Sequence, residues 1–265
     1  MEIIPINFFS GGKIYRDWVD ITPSEAYELF LADPDSFNTS SASPEDCLEA
    51  FQKAGRNAAN ILCVTVSTKL STVYNAAMEA RELAKTELPD TNIEIIDSTT
   101  ATPAEGMVAL AAARAAGEGK SLAEVLSTAE DVKNRVHAVV FLDTIRHVYR
   151  SGRIPKIASQ LGSALNIKPI LSVSGVVHFT GMVRSRKQGI ERMLEIMRNK
   201  VGNQPVHVAV THAYAPEEAG KLKERAAAEF NCVEIWLAEF SPVMGYACGT
   251  GTVGIAFYTE VKKDE

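Results

Sequence analysis

Cysteine is scarce in this sequence: Cys47, Cys63, Cys232 and Cys248 are the only four in 265 residues, and no two stand at a Cys-x-x-Cys spacing. That scatter excludes a disulfide framework and fits reduced thiols in a cytoplasmic protein. No histidine falls beside a cysteine at ligand spacing, which reads against a zinc site. No uninterrupted apolar stretch approaches the roughly 18 residues of a membrane-spanning helix. The opening MEIIPINFFSGGK has neither a basic start nor a long apolar run, so no secretory signal is expected. There is no excess of basic charge either: 27 Lys and Arg against 33 Asp and Glu leave a net −6, which excludes a general nucleic-acid binder. The chain lacks a G-x-x-x-x-G-K-[ST] loop, a G-x-G-x-x-G following a strand, and a G-x-S-x-G elbow. Nucleotide cofactors and serine nucleophiles are therefore unsupported, and neither a cofactor nor a metal is expected.

What remains is an ordinary globular composition, 46% apolar and 23% charged. Two stretches announce helix starts: Thr22-Pro23-Ser24-Glu25 and Ser43-Pro44-Glu45-Asp46 each place a hydroxyl cap before proline and acid. From residue 61 short apolar strands (61–66, 93–97, 136–142) alternate with helical segments, the pattern of a parallel sheet covered on both faces. Beyond about residue 150 the pattern changes. A helix is expected over 156–165, then strand, Ser174-Gly175 turn and strand, the signal of an antiparallel hairpin. Helices and strands then alternate to a last strand in GTVGIAFYTE. The expected fold class is α/β in two domains, with the ligand in the crevice between them. Residues 1–150 would form a parallel-sheet α/β domain carrying hydroxyl loops. Residues 151–265 would form a mixed α+β domain with a hairpin and a Gly-rich closing loop.

Chemistry concentrates in loops. After the strand at 61–66 come Ser67, Thr68, Ser71 and Thr72 at a helix start, where open α/β sheets bind ligands and backbone N–H groups favour an anion. One hydroxyl could simply cap the helix; four exceed that need and suit an anion. Thr39 and Ser40 belong to a second cluster, TSSAS, which is either an exposed cap or part of the same site. Arg184 and Arg186 would share one face of a strand, as a solvated face or as a basic element of the site. Gly249 opens G-T-G-T-V-G before a strand, the wrong context for a dinucleotide and a better fit to a loop of close backbone approach. Asp97 and Asp143 each end a strand and could serve as acid or base, although such positions are more often structural.

Taken in order, these stretches resemble the DegV family, the fatty-acid-binding proteins of bacterial fatty acid kinase systems. NFFSGGKIYRDWVDITPSEAYELF is similar to the family's opening strand and Y-x-D-x-x-D-I stretch. TSSASPEDCLEAF stands for its T-S-Q-P-S-P loop, VSTKLSTVYNAA for S-S-x-L-S-G-T-Y, and DTIRHVYRSGRI for D-T-L-x-Y-L-x-x-G-G-R-I. LNIKPIL, VRSRK, THA and VMGYACGTGTVGIAF follow in the expected order. The resemblance implies two α/β domains holding a long-chain fatty acid, its carboxylate bound by hydroxyls, for presentation to a separate ATP-dependent kinase subunit. It implies a carrier and not an enzyme. Thr39 and Ser71 match the headgroup residues, with Ser40, Ser67 and Thr68 in support, and the family's basic residue falls on Arg184 or Arg186. Thr72 replaces a family glycine, and in the closing loop, next to Gly249, Ala247 stands where the family has histidine. The family's first strand, with its D-S-T-A-D-L stretch, and its first helix usually precede this start and are not matched, so a gap or an exposed apolar strip is expected in the first sheet. Two other readings stay open: a small-molecule enzyme using the same crevice, and a degenerate partner-binding module that holds no lipid.

Overall fold

The structure, a computed structural model, describes residues 1–145, 151–153 and 167–260. The helix expected over 156–165 and half of DTIRHVYRSGRI (146–150 and 154) lie outside the described residues.

The chain opens with a tight hairpin. β1 (Asn7–Ser10) and β2 (Lys13–Arg16) pair antiparallel across Gly11 and Gly12, both at positive φ, the geometry that a two-residue hairpin requires. β3 (Asn38–Ser40) joins the other edge of β1, with Phe8 opposite Thr39 and Asn7 opposite Ser40. Because side chains alternate, Thr39 shares a face with Phe8 and Tyr15, while Ser40 lies on the other. α1 (Pro23–Ala32) starts at the expected capping box of Thr22 and Glu25 and closes over Phe8 with Ala26 and Phe30, joined by Phe37 from the connection to β3. Between β2 and α1, Trp18 stands 62% exposed at φ 63, beside the buried Asp17.

α2 (Pro44–Gly55), capped by Ser43 and Asp46, leads into β4 (Asn60–Thr65), α3 (Val73–Glu87) and β5 (Asn92–Asp97). β4 and β5 are parallel and in register, Ile61 beside Ile93 and Thr65 beside Asp97. α2 and α3 cover one face through Cys47, Phe51, Ala77, Ala80, Ile61, Cys63 and Ile95. α4 (Pro103–Gly117) and α5 (Leu122–Arg135) cover the other, against Leu62, Val64 and Ile96. Among the described residues this sheet has two strands, so each keeps an outer edge without a strand neighbour, while both its faces are covered by helices.

A six-stranded sheet follows. Its order is β10 (Cys232–Glu239), β9 (Val206–His212), β11 (Val253–Thr259), β6 (His137–Phe141), β7 (Lys168–Ser174) and β8 (Val176–Val183). β9 and β10 are parallel; the other pairings are antiparallel, including the expected β7–β8 hairpin. α6 (Arg186–Val201) and α7 (Pro216–Glu229) bury one face over Phe141, Ile170, Val208, Val210, Ile255 and Phe257. The opposite face carries Ala138, Ala209 and Ala256 beneath α4 and α5, whose other side meets the β4–β5 pair. Small side chains in that row let the helices lie close to the strands. The molecule is therefore layered, with α4 and α5 shared by both sheets.

The expected boundary near 150 follows β6, and the pairing of that strand differs from its sequence pattern. β6 reads as another strand of the strand–helix alternation, but it is hydrogen-bonded between β11 and β7. Local pattern cannot show with which sheet a buried strand pairs, since that is decided by partners far along the chain. α8 (Pro242–Cys248), a two-turn helix between β10 and β11, was read only as loop.

Candidate functional site

The β4–α3 connection is held by its own backbone. The Ser67 carbonyl accepts from the N–H groups of Leu70 (2.9 Å) and Ser71 (3.1 Å), a tight turn that brings Ser71 to the start of α3. Ser71 Oγ accepts from the Val73 N–H at 3.3 Å and so does the capping, whereas Thr72, the formal N-cap residue, makes no side-chain bond to the helix. Ser71 Oγ also reaches Ser41 Oγ at 3.4 Å. That contact joins the Ser67–Thr72 loop to the Thr39–Ser43 loop, the two hydroxyl clusters of the sequence. Ser41 was not singled out beforehand, although it sits inside TSSAS.

Arg153 is a second unanticipated member. Its Nε donates to the Leu70 carbonyl at 3.1 Å and its Nη1 to the Ser151 carbonyl at 2.7 Å, which sets a cation against the turn before Ser71. The sequence signal was the Ser-Gly-Arg at 151–153, visible as a motif but silent about its contact.

Two expected donors are engaged elsewhere. Ser67 is fully buried; its Oγ donates to the Gly175 carbonyl and accepts from the Lys69 N–H. Thr68 Oγ1 donates to Asp97 at 2.7 Å. A hydroxyl has one hydrogen to give, so neither supplies a donor to a carboxylate as expected. Thr39 lies on the sheet face directed toward α8 and Ser40 on the opposite face, beside Asn7, so the two cannot address one headgroup together.

The arginines also differ from expectation. The strand ends at Val183, and Ser185 caps α6 through the Gln188 N–H, so Arg186 is already helical and strand alternation does not apply. Arg184 is exposed on a groove of about 450 Å³ formed with Met182, Gln188, Glu191 and Arg192. Arg186 turns inward: its Nη2 meets Asp143 Oδ1 at 2.8 Å and its Nη1 the Gly251 carbonyl at 3.3 Å. Lys168 Nζ holds the same carboxylate oxygen at 2.7 Å. Gly251, at φ 83, lies so close that a Cβ would come within 3.2 Å of Arg186 Nη2. This is the close backbone approach expected of the closing loop.

Both acids open to an enzyme reading are thus bound: Asp143 between two cations, and Asp97 by Thr68 and by the Thr99 N–H at 2.7 Å. Beside Asp97, Glu105 stands at the first turn of α4. Burial, with the Asp97 charge as a smaller cause, pushes its carboxyl up to about 8.

α8 brings Ala247 half-buried onto an apolar cluster of Tyr27, Val140, Leu142, Leu171, Phe240 and Met244. Gly245 packs on the Tyr27 ring, and Gly249, at φ 84, ends the helix. Val177, two residues beyond Gly175, belongs to the margin of this cluster, so the apolar region adjoins the hairpin that touches the hydroxyl loop. Hydroxyls, a helix N-terminus and Arg153 suit an anion; the adjoining cluster suits a hydrocarbon. Among the described residues no group of side chains could hold a metal ion, and no helix is long and apolar enough to cross a membrane.

Comparison with known proteins gives a consistent result. Residues 1–260 match the family model described as "Uncharacterised protein, DegV family COG1307". A DegV domain-containing protein of Clostridium perfringens is 32% identical over 98% of this chain and 92% of its own. One from Mycobacterium tuberculosis is 31% identical over 95% and 88%. Among solved structures, a fatty-acid-binding DegV family protein from Thermus thermophilus superposes with a TM-score of 0.87, at 28% identity over 97% of this chain and 91% of that one. DegV of Bacillus subtilis, a fatty acid binding protein, gives 0.85 at 25% identity over 97% and 91%. With the motifs in order, the fold shared and the family model spanning nearly every residue, this chain belongs to the DegV family.

Proposed function

We propose that the protein is a cytoplasmic carrier of a long-chain fatty acid, presenting the carboxylate to a separate ATP-dependent kinase subunit without catalysing a reaction itself. The observation that carries this reading is the junction at Ser41 and Ser71, where two hydroxyl loops meet over the start of α3 with Arg153 behind the turn. The fatty-acid-binding relatives of the same fold support the hydrocarbon half of the reading. Thr39, Ser41, Ser71 and Thr72 are the headgroup residues of this proposal. Each charged hydrogen bond contributes roughly 1.5–3 kcal/mol. The tail contributes about 0.8 kcal/mol per buried CH₂ before ordering losses. Affinity therefore comes mainly from the tail, and neutral hydroxyls leave the carboxylate accessible to a phosphoryl donor. Arg186, held against the Gly251 carbonyl, is the basic residue this proposal assigns to the kinase contact.

Lipid extraction and native mass spectrometry of protein purified from bacteria test the reading. A bound acyl chain is expected, with Ser71→Ala retaining several-fold less after washing. Protein that carries no lipid even after incubation with palmitate overturns the proposal.

A further inference from the structure

The β7–β8 hairpin is gripped at its tip by the other sheet. The Ser67 hydroxyl donates to the Gly175 carbonyl, and the Gly175 N–H donates to the Thr99 carbonyl. Both polar groups of one glycine, at φ 70, are thus held by two loops: the one that follows β4 and the one that follows β5. The loops are themselves tied, since the Ser67 N–H donates to the Thr100 carbonyl at 2.8 Å. Three observations show that this closed arrangement is held against local preference. Thr99 has φ 55 and Thr102 φ 62 with ψ −143, left-handed conformations that a β-branched residue rarely adopts. Between them, Thr100 is 3% exposed and its Oγ1 has no hydrogen-bond partner. A buried hydroxyl without a partner favours any state in which water can reach it. Releasing Gly175 would free the Thr99 carbonyl, let Thr99 leave its left-handed conformation and open a path for water to Thr100.

We propose that Ser67, Gly175 and Thr99 form a strained clasp between the two sheets, and that its opening admits and releases the acyl chain. The inference rests on the carrier reading for its cargo but not for its geometry. The Ser67 carbonyl accepts from Ser71, so opening the clasp also moves the residue at the centre of the hydroxyl junction. On the hairpin side, Val177 moves with Gly175 and uncovers the apolar cluster. Uptake and release would then be governed by one local event that leaves the helix-covered faces of both sheets intact.

Two substitutions act in opposite directions. Ser67→Ala removes one of the two bonds on Gly175 and speeds opening; Thr99→Gly removes the left-handed penalty and slows it. Amide hydrogen exchange on ligand-free protein reads the clasp directly. Residues 67–71, 98–102 and 174–176 are expected to exchange as one unit, about tenfold faster in Ser67→Ala and several-fold slower in Thr99→Gly. Stopped-flow binding of a fluorescent long-chain fatty acid reads its consequence: association and dissociation rates shift together in the same directions, while Kd stays within about twofold. Segments that exchange independently, or lipid rates that ignore a change in exchange, overturn the proposal. If Ser67→Ala does not fold, Thr99→Gly alone decides both readouts. Protein that takes no fatty acid but shows the concerted exchange sinks the carrier reading and keeps the clasp.

Discussion

Glu105 carries a consequence for pH. Its carboxyl is raised from the ordinary 4.5 to about 8 by burial and then by Asp97. In the unfolded chain it loses its proton near 4.5, whereas in the folded protein it keeps it until about 8. Its contribution to stability is therefore full at low pH and declines as pH rises between those values. The slope is about 1.4 kcal/mol per pH unit. Glu105→Gln should remove that slope: denaturant midpoints of the two proteins coincide near pH 4 and separate toward pH 8, the variant being more stable. Equal midpoints at pH 8 would show that the carboxyl is not held protonated. Glu105 lies in the first turn of α4, where the macrodipole alone would favour the charged form. The neighbours that reverse this, Asp97 and the surrounding side chains, come together only in the fold. The same holds for Ser67, whose partner Gly175 lies 108 residues away and whose hydroxyl reads in sequence as a ligand donor.

Elements whose boundaries are written in local chemistry were legible. α1 and α2 begin at the Thr22 and Ser43 capping boxes, and β7 and β8 meet at Ser174-Gly175. α8 was not, because seven residues with one proline and one glycine offer no period to read. RSRK misled for a related reason: the strand gives way to the helix within it, and Ser185 is the cap. The structure shows why α8 nevertheless matters. Tyr27 is fully buried, its hydroxyl donating to the Phe240 carbonyl at 3.1 Å, and Gly245 lies against its ring. A Cβ at residue 245 would fall 2.1 Å from Tyr27 Cε1. Gly245→Ala should therefore displace α8 from α1 and destabilise the protein by about 1–3 kcal/mol, the usual range for overpacking. Thermal unfolding checks it, with Tyr27→Leu in the same background expected to restore part of the loss. An unchanged midpoint for Gly245→Ala would mean that α8 is free to move aside.

At the scale of the molecule, the class of fold was readable, whereas the sheet in which β6 pairs was not. Fragments 1–150 and 151–265 separate β6 from β11 and β7 and strip α4 and α5 from one of the two sheets they cover. Neither fragment should fold alone; circular dichroism and amide NMR dispersion of each would show it, and a cooperative melt from either would support a boundary near 150. The strand order carries one more consequence. β11, the last strand along the described chain, lies in the middle of the six-stranded sheet, with β10 and β9 on one side and β6, β7 and β8 on the other. While the chain is being synthesised, those two halves cannot join until Val253–Thr259 has left the ribosome. From the synthesis of β9 until β11 is free to pair, the nascent protein therefore carries two open sheet edges, at β9 and at β6, which exposes it to mispairing and ties its yield to the speed of the final step.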